Sequence, residues 1–301
     1  MLETKIVIMM LFDSIAMFVG GFGNMIILIN CVLQAMREGL SPFILIAFTM
    51  CLNNSLLICF QVLMSISAYL QPMSALFHGV LMAFLCYSLW SSSWLSLYYQ
   101  FKIVPSSSTV NAWVIRNFNV LIPCFMLSSR VIFVVVGFSS MFNEAYNFST
   151  NSFNISTVLR NQTTNHLSSQ VLLYCTFATL SILITFMSVM KILTSLRRHV
   201  RNMTKNSEVT TSFKAHYTAA KSIITLLVFN LFLFLSQVVG YLRGDLSWIS
   251  TLKSIALSVL LTVCPYILIA GNKKLRTEVK KSSEHVMHML GINSLLAKCS
   301  A

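Results

Sequence analysis

Seven long apolar stretches dominate the sequence, and their length restricts what the chain can fold into. A helix needs about 20 residues to cross about 30 Å of hydrocarbon, because each residue advances it about 1.5 Å. The stretches run over roughly 6–34, 42–68, 76–103, 117–138, 169–196, 215–241 and 249–271. Lipid cannot hydrogen-bond a backbone, so a segment of this kind must satisfy its own amides, which a helix does. The expected fold is all-α, a single domain over 1–301 built as a seven-transmembrane helix bundle with a short amphipathic C-terminal helix. Composition agrees: 56% of residues are hydrophobic and only 10% charged, with mean hydropathy +0.77, against about 25% charged in soluble domains. The run from Ile6 to Leu33 is too long for the core of a signal peptide and is read as the first span. The fourth span is the most diluted, by Asn117, Asn119 and Arg130.

The net charge is +13, and its placement decides what it means. No basic patch interleaved with aromatics sits on a separate soluble domain, so the charge does not point to nucleic acid. It lies between and after the apolar stretches. One side collects sixteen Lys and Arg: Arg37, Lys102, Arg116, Lys191, Arg197, Arg198, Arg201, Lys205, Lys214, Lys221, Lys273, Lys274, Arg276, Lys280, Lys281 and Lys298. The other has Lys5, Arg160, Arg243 and Lys253. Cytoplasmic loops carry the excess of Lys and Arg, which puts the amino end outside and the carboxyl end in the cytoplasm. Three sequons in the expected outer loop 139–168, at Asn147, Asn154 and Asn161, agree with that orientation, since sequons are modified only where they reach the lumen. Asn53 and Asn202 also head sequons but fall in a span and a cytoplasmic loop, and are expected to stay bare. Of eight cysteines, seven lie inside apolar runs and Cys299 in the tail, so no extracellular disulfide is expected.

Residues 272–290 alternate Lys, Arg and Glu with Leu275, Val279, Val286, Met287 and Leu290, the pattern of a helix lying on the inner leaflet. Ionisable residues inside spans are costly and mark function; here they are Asp13, Arg130 and Lys253. Lys253 is placed either to snorkel to the outer headgroups or to meet an anionic ligand or Asp13. No relay of Asp, Glu and His threads the membrane and the halves show no repeat, which disfavours a small transporter or channel. No nucleophile elbow, Cys/His set with zinc spacing or cofactor motif appears, so no enzyme, metal or cofactor is expected. Pro265 leaves a backbone carbonyl without its donor in the seventh span and allows a bend.

Short motifs at the inner ends of the spans are more specific. Residues 90–103 read Trp-Ser-Ser-Ser-Trp-Leu-Ser-Leu-Tyr-Tyr-Gln-Phe-Lys-Ile. After the fifth span come Ser195-Leu196-Arg197-Arg198-His199 and Met203; entering the sixth, Ala215-His216-x-x-Ala219-x-Lys221-Ser222. The seventh ends in Pro265-Tyr266-Ile267-Leu268-Ile269-Ala270-Gly271-Asn272-Lys273-Lys274-Leu275, and Gly23-Asn24, Asn30 and Leu40-Ser41-Pro42 occupy the first two. In this order, over almost the whole chain, the set resembles the bitter taste receptors (taste receptor type 2 family). In the third span Trp90, Leu95, Ser96, Tyr99, Lys102 and Ile103 match the family pattern, with Tyr98 in place of a Phe.

The resemblance implies a plasma-membrane G protein-coupled receptor that binds bitter small molecules and activates a gustducin/Gi-type heterotrimeric G protein. Residues implied to face that partner are Tyr99, Lys102, Arg197, Arg198, His199, His216, Lys221 and Lys273; inner-leaflet anchoring explains such cations equally. An outer-half ligand pocket would draw on Met64, Leu81, Leu85, Tyr174, Gln237, Tyr241, Ser254 and Leu257. The chain departs from the family pattern at Asn54, where Arg is usual, at Cys264, where His is common, and at Leu233, where Tyr is frequent. Leu81, Leu85 and Ser254 also make the implied pocket more apolar than usual, the drift of a divergent member, for which a non-mammalian origin stays open. A vomeronasal type 1 pheromone receptor is the alternative within the class, and oligomer formation stays open.

Overall fold

The computed structural model describes residues 2–67, 74–104, 109–151, 159–203, 211–243 and 247–289. Every element among them is helical: α1 (Leu2–Ile15), a π-helical turn (Ala16–Gly20), α2 (Gly21–Glu38), α3 (Pro42–Ser67), α4 (Ser74–Ile103), α5 (Thr109–Arg116), α6 (Phe118–Asn151), α7 (Leu159–Met203), α8 (Thr211–Arg243), α9 (Ser247–Gly271) and α10 (Lys273–Met289). Among the described residues six stretches are long and apolar enough to cross a membrane: Met10–Glu38, Pro42–Leu63, Val80–Ile103, Leu172–Arg198, His216–Gly240 and Thr251–Gly271. A shorter apolar helix, Phe118–Val134, occupies the diluted fourth segment. The architecture is a helical membrane bundle. Its central member is α4, which packs on α3, α6, α7 and α8, while α9 packs on α1, α2, α3, α8 and α10.

Three local features differ from the sequence reading. The first span is interrupted by the π turn. The connection after α4 contains a helix of its own, α5. The expected loop 139–168 is helical up to Asn151 and again from Leu159, because a helix that leaves the bilayer keeps its backbone hydrogen bonds whatever its side chains.

The turn after α2 follows from its residues. Gly39 has φ 83°, where a side chain would be strained, and its N–H still bonds Ala35 O at 3.0 Å. Ser41 then caps α3, its Oγ accepting from Ile44 N at 3.4 Å, and Pro42 takes the first helical position, where its missing N–H has no partner to lose.

The two ends of the chain's membrane region meet at glycine. A Cβ on Gly20 would lie 2.7 Å from Leu261 O, and one on Gly23 would lie 2.9 Å from Pro265 Cγ. The two contacts share a cause. Proline at 265 removes the N–H that Leu261 O, four residues earlier, would accept in a regular helix. That carbonyl lies against Gly20, where the missing side chain leaves it room. Tyr266 OH donates to Val19 O at 3.0 Å and closes the same seam.

Further out, a polar cluster ties α1, α3 and α9. Gln61 Nε2 donates to Asp13 Oδ1 at 2.5 Å and reaches Ser258 Oγ at 2.7 Å and Ser254 Oγ at 3.3 Å. Ser258 Oγ lies 2.9 Å from Asp13 Oδ1. All but the half-buried Ser254 are buried. Another cluster joins α4 to α7: Ser93 Oγ lies 2.7 Å from Ser181 Oγ and 3.1 Å from Thr185 Oγ1, and Ser181 Oγ donates to Leu89 O at 2.8 Å. The serine triplet 91–93 thus lets α7 approach closely, as small residues do between membrane helices.

Two substitutions test the seam. Gly20→Val should destabilise the detergent-solubilised protein by about 1–3 kcal/mol through overpacking, whereas Gly21→Ala, with nothing within 4 Å of its Cβ, should leave the melting temperature unchanged or raised. Gln61→Leu should cost about 1–3 kcal/mol by stripping buried hydrogen bonds, and a melting temperature equal to the native one would contradict the role given to the cluster.

Candidate functional site

The residues of the implied outer pocket have two fates. Leu85, Tyr174 and Leu257 belong to one buried apolar cluster, with half-buried Leu81 packed against it and Leu233 inside it. The Tyr174 ring lies 6.4 Å from that of Phe234 in a tilted pair. Gln237 is buried on α8, and Ser254 is half-buried within the Gln61 cluster. The side chains of Met64 and Tyr241 lie outside the described residues. The described members of this set therefore sit in packed interior, and neither cavity described here is lined by any of them. Sequence reasoning missed Gln61 and Ser258. An amide in the middle of an apolar span is a signal for the first; a serine in a helix that also has Ser254 gives none.

The inner ends behave differently. A cavity of about 530 Å³ opens there, lined by Tyr99, Lys102 and Ile103 from α4, His216, Thr218 and Ala219 from α8, and the 270–274 stretch with Arg276 at the junction of α9 and α10. Four residues implied to face a partner, Tyr99, Lys102, His216 and Lys273, stand around it, and Lys274 and Arg276 add two cations the sequence reading did not single out. Arg197, Arg198 and Lys221 are exposed but do not line it. The side chain of His199 lies outside the described residues, as do those of Asn147 and Asn161 and the whole of Asn154.

Each motif has a structural cause here. His216 and Ala219 are three apart on α8 and so share the face that lines the cavity. Ser222, one turn further, meets α9 at Gly271, where a Cβ would lie 2.8 Å from Ser222 Oγ. Asn272 caps α10: its Oδ1 accepts from Lys274 N at 2.9 Å and Leu275 N at 3.2 Å. Ion pairs then hold α10 beneath the end of α2, Lys274 with Glu38 and Arg37 with Glu278 at 3.7 Å. On α4, Lys102 Nζ sits 5.6 Å from the centre of the Tyr98 ring, and Tyr98 and Tyr99 both pack on Phe43. This aromatic base sets the lysine at the rim.

The arrangement is a funnel with cations at its mouth and a tyrosine and small residues in its throat. Its chemistry is that of binding. Among the described residues no three His, Cys, Asp or Glu cluster as metal ligands.

The comparisons with known proteins agree with the motifs. The family model described as "Taste receptor protein (TAS2R)" matches residues 1–287. Taste receptor type 2 member 41 of Pan paniscus is 27% identical over 198 residues, covering 62% of this chain and 64% of its own length, so the chain matches just under two thirds of that relative. Taste receptor type 2 member 7 of Pongo pygmaeus is 27% identical over 312 residues, covering 95% of this chain and 96% of the relative. Taste receptor type 2 member 40 of Gallus gallus is 25% identical over 245 residues, covering 78% and 76%. The identities fit a divergent sequence, and the family match runs through every helix from α1 into α10: the chain belongs to the taste receptor type 2 family, multi-pass membrane receptors of the G protein-coupled class.

Proposed function

We propose that the protein is a plasma-membrane receptor that binds bitter small molecules in its outer half and activates a gustducin/Gi-type heterotrimeric G protein through the funnel at its inner ends. The observation that carries this reading is the 530 Å³ cavity rimmed by Lys102, His216, Lys273, Lys274 and Arg276. Three helices and the head of α10 converge there, so a peptide seated in the funnel senses their relative positions. The rim is cationic, which favours an acidic segment and speeds its encounter. Family membership supplies the partner class.

The amino end faces outward in this reading, on the strength of the sixteen-to-four partition of Lys and Arg. The ligand would enter between α3, α4, α7, α8 and α9, where Met64, Leu81, Leu85, Tyr174, Gln237, Tyr241, Ser254 and Leu257 are the proposed contacts. Gln237 is the one buried amide in that set and supplies its directional hydrogen bond. The leucines make the remainder a surface for apolar ligands. Since the described members are packed, agonist binding requires them to part, and Gln237→Leu should raise the half-maximal agonist concentration.

The reading is tested by calcium release in cells that express the receptor with a chimaeric G protein. A bitter panel should evoke a response, and Lys102→Glu with Lys273→Glu should lower its maximum about tenfold or more at equal surface expression, as expected for losing two charge contacts of 1 kcal/mol or more. Silence of the native receptor at confirmed surface expression counts against the proposal. Orientation has its own check: endoglycosidase should shift the native protein on a gel, and Asn147→Gln, Asn154→Gln and Asn161→Gln together should abolish the shift. Sugar on Asn202 would invert the molecule.

A further inference from the structure

On α8 the buried residues Ile223, Leu226, Asn230, Leu233, Gln237 and Gly240 follow one another at spacings of three and four. That is the stripe by which a helix faces its bundle. A Cβ on Gly240 would lie 2.6 Å from Lys253 Cδ, 2.7 Å from Cε and 2.8 Å from Nζ. The stem of Lys253, rooted on α9, therefore crosses the inward stripe of α8. Its ammonium stands on the bundle side of that helix and not on a lipid-facing flank.

The glycine makes this possible, since any side chain at 240 would collide with the stem. Gly240 stands three residues before the end of α8 and Lys253 six after the start of α9. The charge thus lies within about two turns of the outer mouth, at about 5.4 Å per turn. Lys253 is half-buried, so a solute arriving from outside reaches it. The partial loss of water strengthens the charge pairs it makes. Ser254 and Ser258, on the adjoining face of α9, turn to the Gln61 cluster.

One turn inward along the α8 stripe comes Gln237, 4% exposed. Among the described residues its amide makes no hydrogen bond. A buried polar group in a native structure calls for a partner. Beyond it the stripe continues in buried Leu233, and α9 adds buried Leu257 one turn inward from Lys253. From the mouth inward the order is cation, amide, apolar wall. A matching ligand has an anionic head with a second acceptor oxygen, and an apolar body behind it.

We propose that Lys253, seated over Gly240, selects agonists that carry a carboxylate. Its ammonium pairs with one carboxylate oxygen and Gln237 Nε2 donates to the other, while Leu233 and Leu257 receive the apolar body. Positions three apart on a helix are neighbours, about 5–6 Å between Cβ atoms, a gap that one carboxylate bridges. A neutral amide of the same shape loses the charge contact, and an amine meets like charge. The inference rests on the outer-pocket reading of the function and names the chemistry of its ligand. The site lies away from the small, largely apolar cavity of about 40 Å³ between α3, α4 and α6.

The test uses the purified full-length receptor in phosphatidylcholine nanodiscs, with empty nanodiscs as the blank. A panel of apolar carboxylates, from octanoate to naphthaleneacetate, is titrated beside the matching primary amides, with binding read by saturation-transfer NMR. At least one acid should bind about tenfold or more tighter than its amide, the difference expected for one charge-assisted hydrogen bond. Lys253→Gln should erase that difference and leave the amide's affinity unchanged, and Lys253→Arg should retain most of it. Gly240→Ala should also narrow it by displacing the stem. Alanine favours the helix, so this variant decides the matter if Lys253→Gln does not fold. Acid and amide binding equally, no acid binding above the blank, Lys253→Gln weakening both alike, or an undiminished preference in Gly240→Ala would each overturn the proposal. Because binding is read without a G protein, acid binding by a receptor that stays silent in cells upholds the site and counts against the receptor reading. A response to neutral bitter compounds with no acid bound does the reverse.

Discussion

Hydrocarbon accepts no hydrogen bonds, and this one fact decides where the polar side chains of the molecule lie. Asn24, Asn30, Asn53, Asn54, Gln61, Asn230 and Gln237 are buried, while Phe18, Phe22, Leu127 and Leu172 are among its most exposed side chains. A polar group cannot escape to the surface, so each must find its partner in the bundle or on its own helix. Asn24 and Asn30 do the latter, donating to Gly20 O and Ile26 O at 2.8 Å. Asn53 and Gln61 do the former and so bind α3 to α4 and to the α1–α9 pair. Little apolar driving force acts between helices in lipid, so contacts of this kind and close packing at small residues hold the architecture together.

The same logic explains which motifs carry meaning. Gly23, Gly271 and Ser222 are places where two helices come within a side chain's thickness. Asn272 starts a helix and Ser41 starts another. The residues around the funnel are therefore partly structural: Ala219 and Gly271 make room, Asn272 turns the chain, and the cations ride on the frame these make. Tyr99, buried in the throat with its ring on Phe43, belongs to the frame as much as to any partner's footprint.

The helical class was legible because apolar runs of bilayer length have few other solutions, and α10 because its charges and apolar residues alternate with helical period. The π turn was not legible: nothing in Ala16-Met17-Phe18-Val19-Gly20 distinguishes a hydrogen bond spanning five residues from one spanning four. Nor was the meeting of Gly20 with Leu261 O, since Pro265 announces an orphaned carbonyl but not where it points. The helical run through 139–151 was hidden by its polar composition. At the funnel, Lys102, His216 and Lys273 could be named from motif and charge, whereas Lys274 and Arg276 looked like generic tail cations until the turn at Asn272 brought them to the rim. In the outer half the sequence supplied depth but not packing. Depth alone could not tell that Ser254 belongs to the Gln61 cluster, or that Leu85 and Tyr174 are sealed in the core.

One detail of α8 bears on how such a bundle changes shape. Ser222 donates to Thr218 O at 3.1 Å, Thr225 to Lys221 O at 2.9 Å and Ser236 to Leu233 O at 2.7 Å. All three hydroxyls fold back onto the helix that bears them. On α4 and α7, by contrast, Ser93 and Ser181 lock the two rods together. A tilt or slide of α8 leaves these three bonds intact, while the same displacement of α7 breaks those that join Ser93 to Ser181 and Thr185.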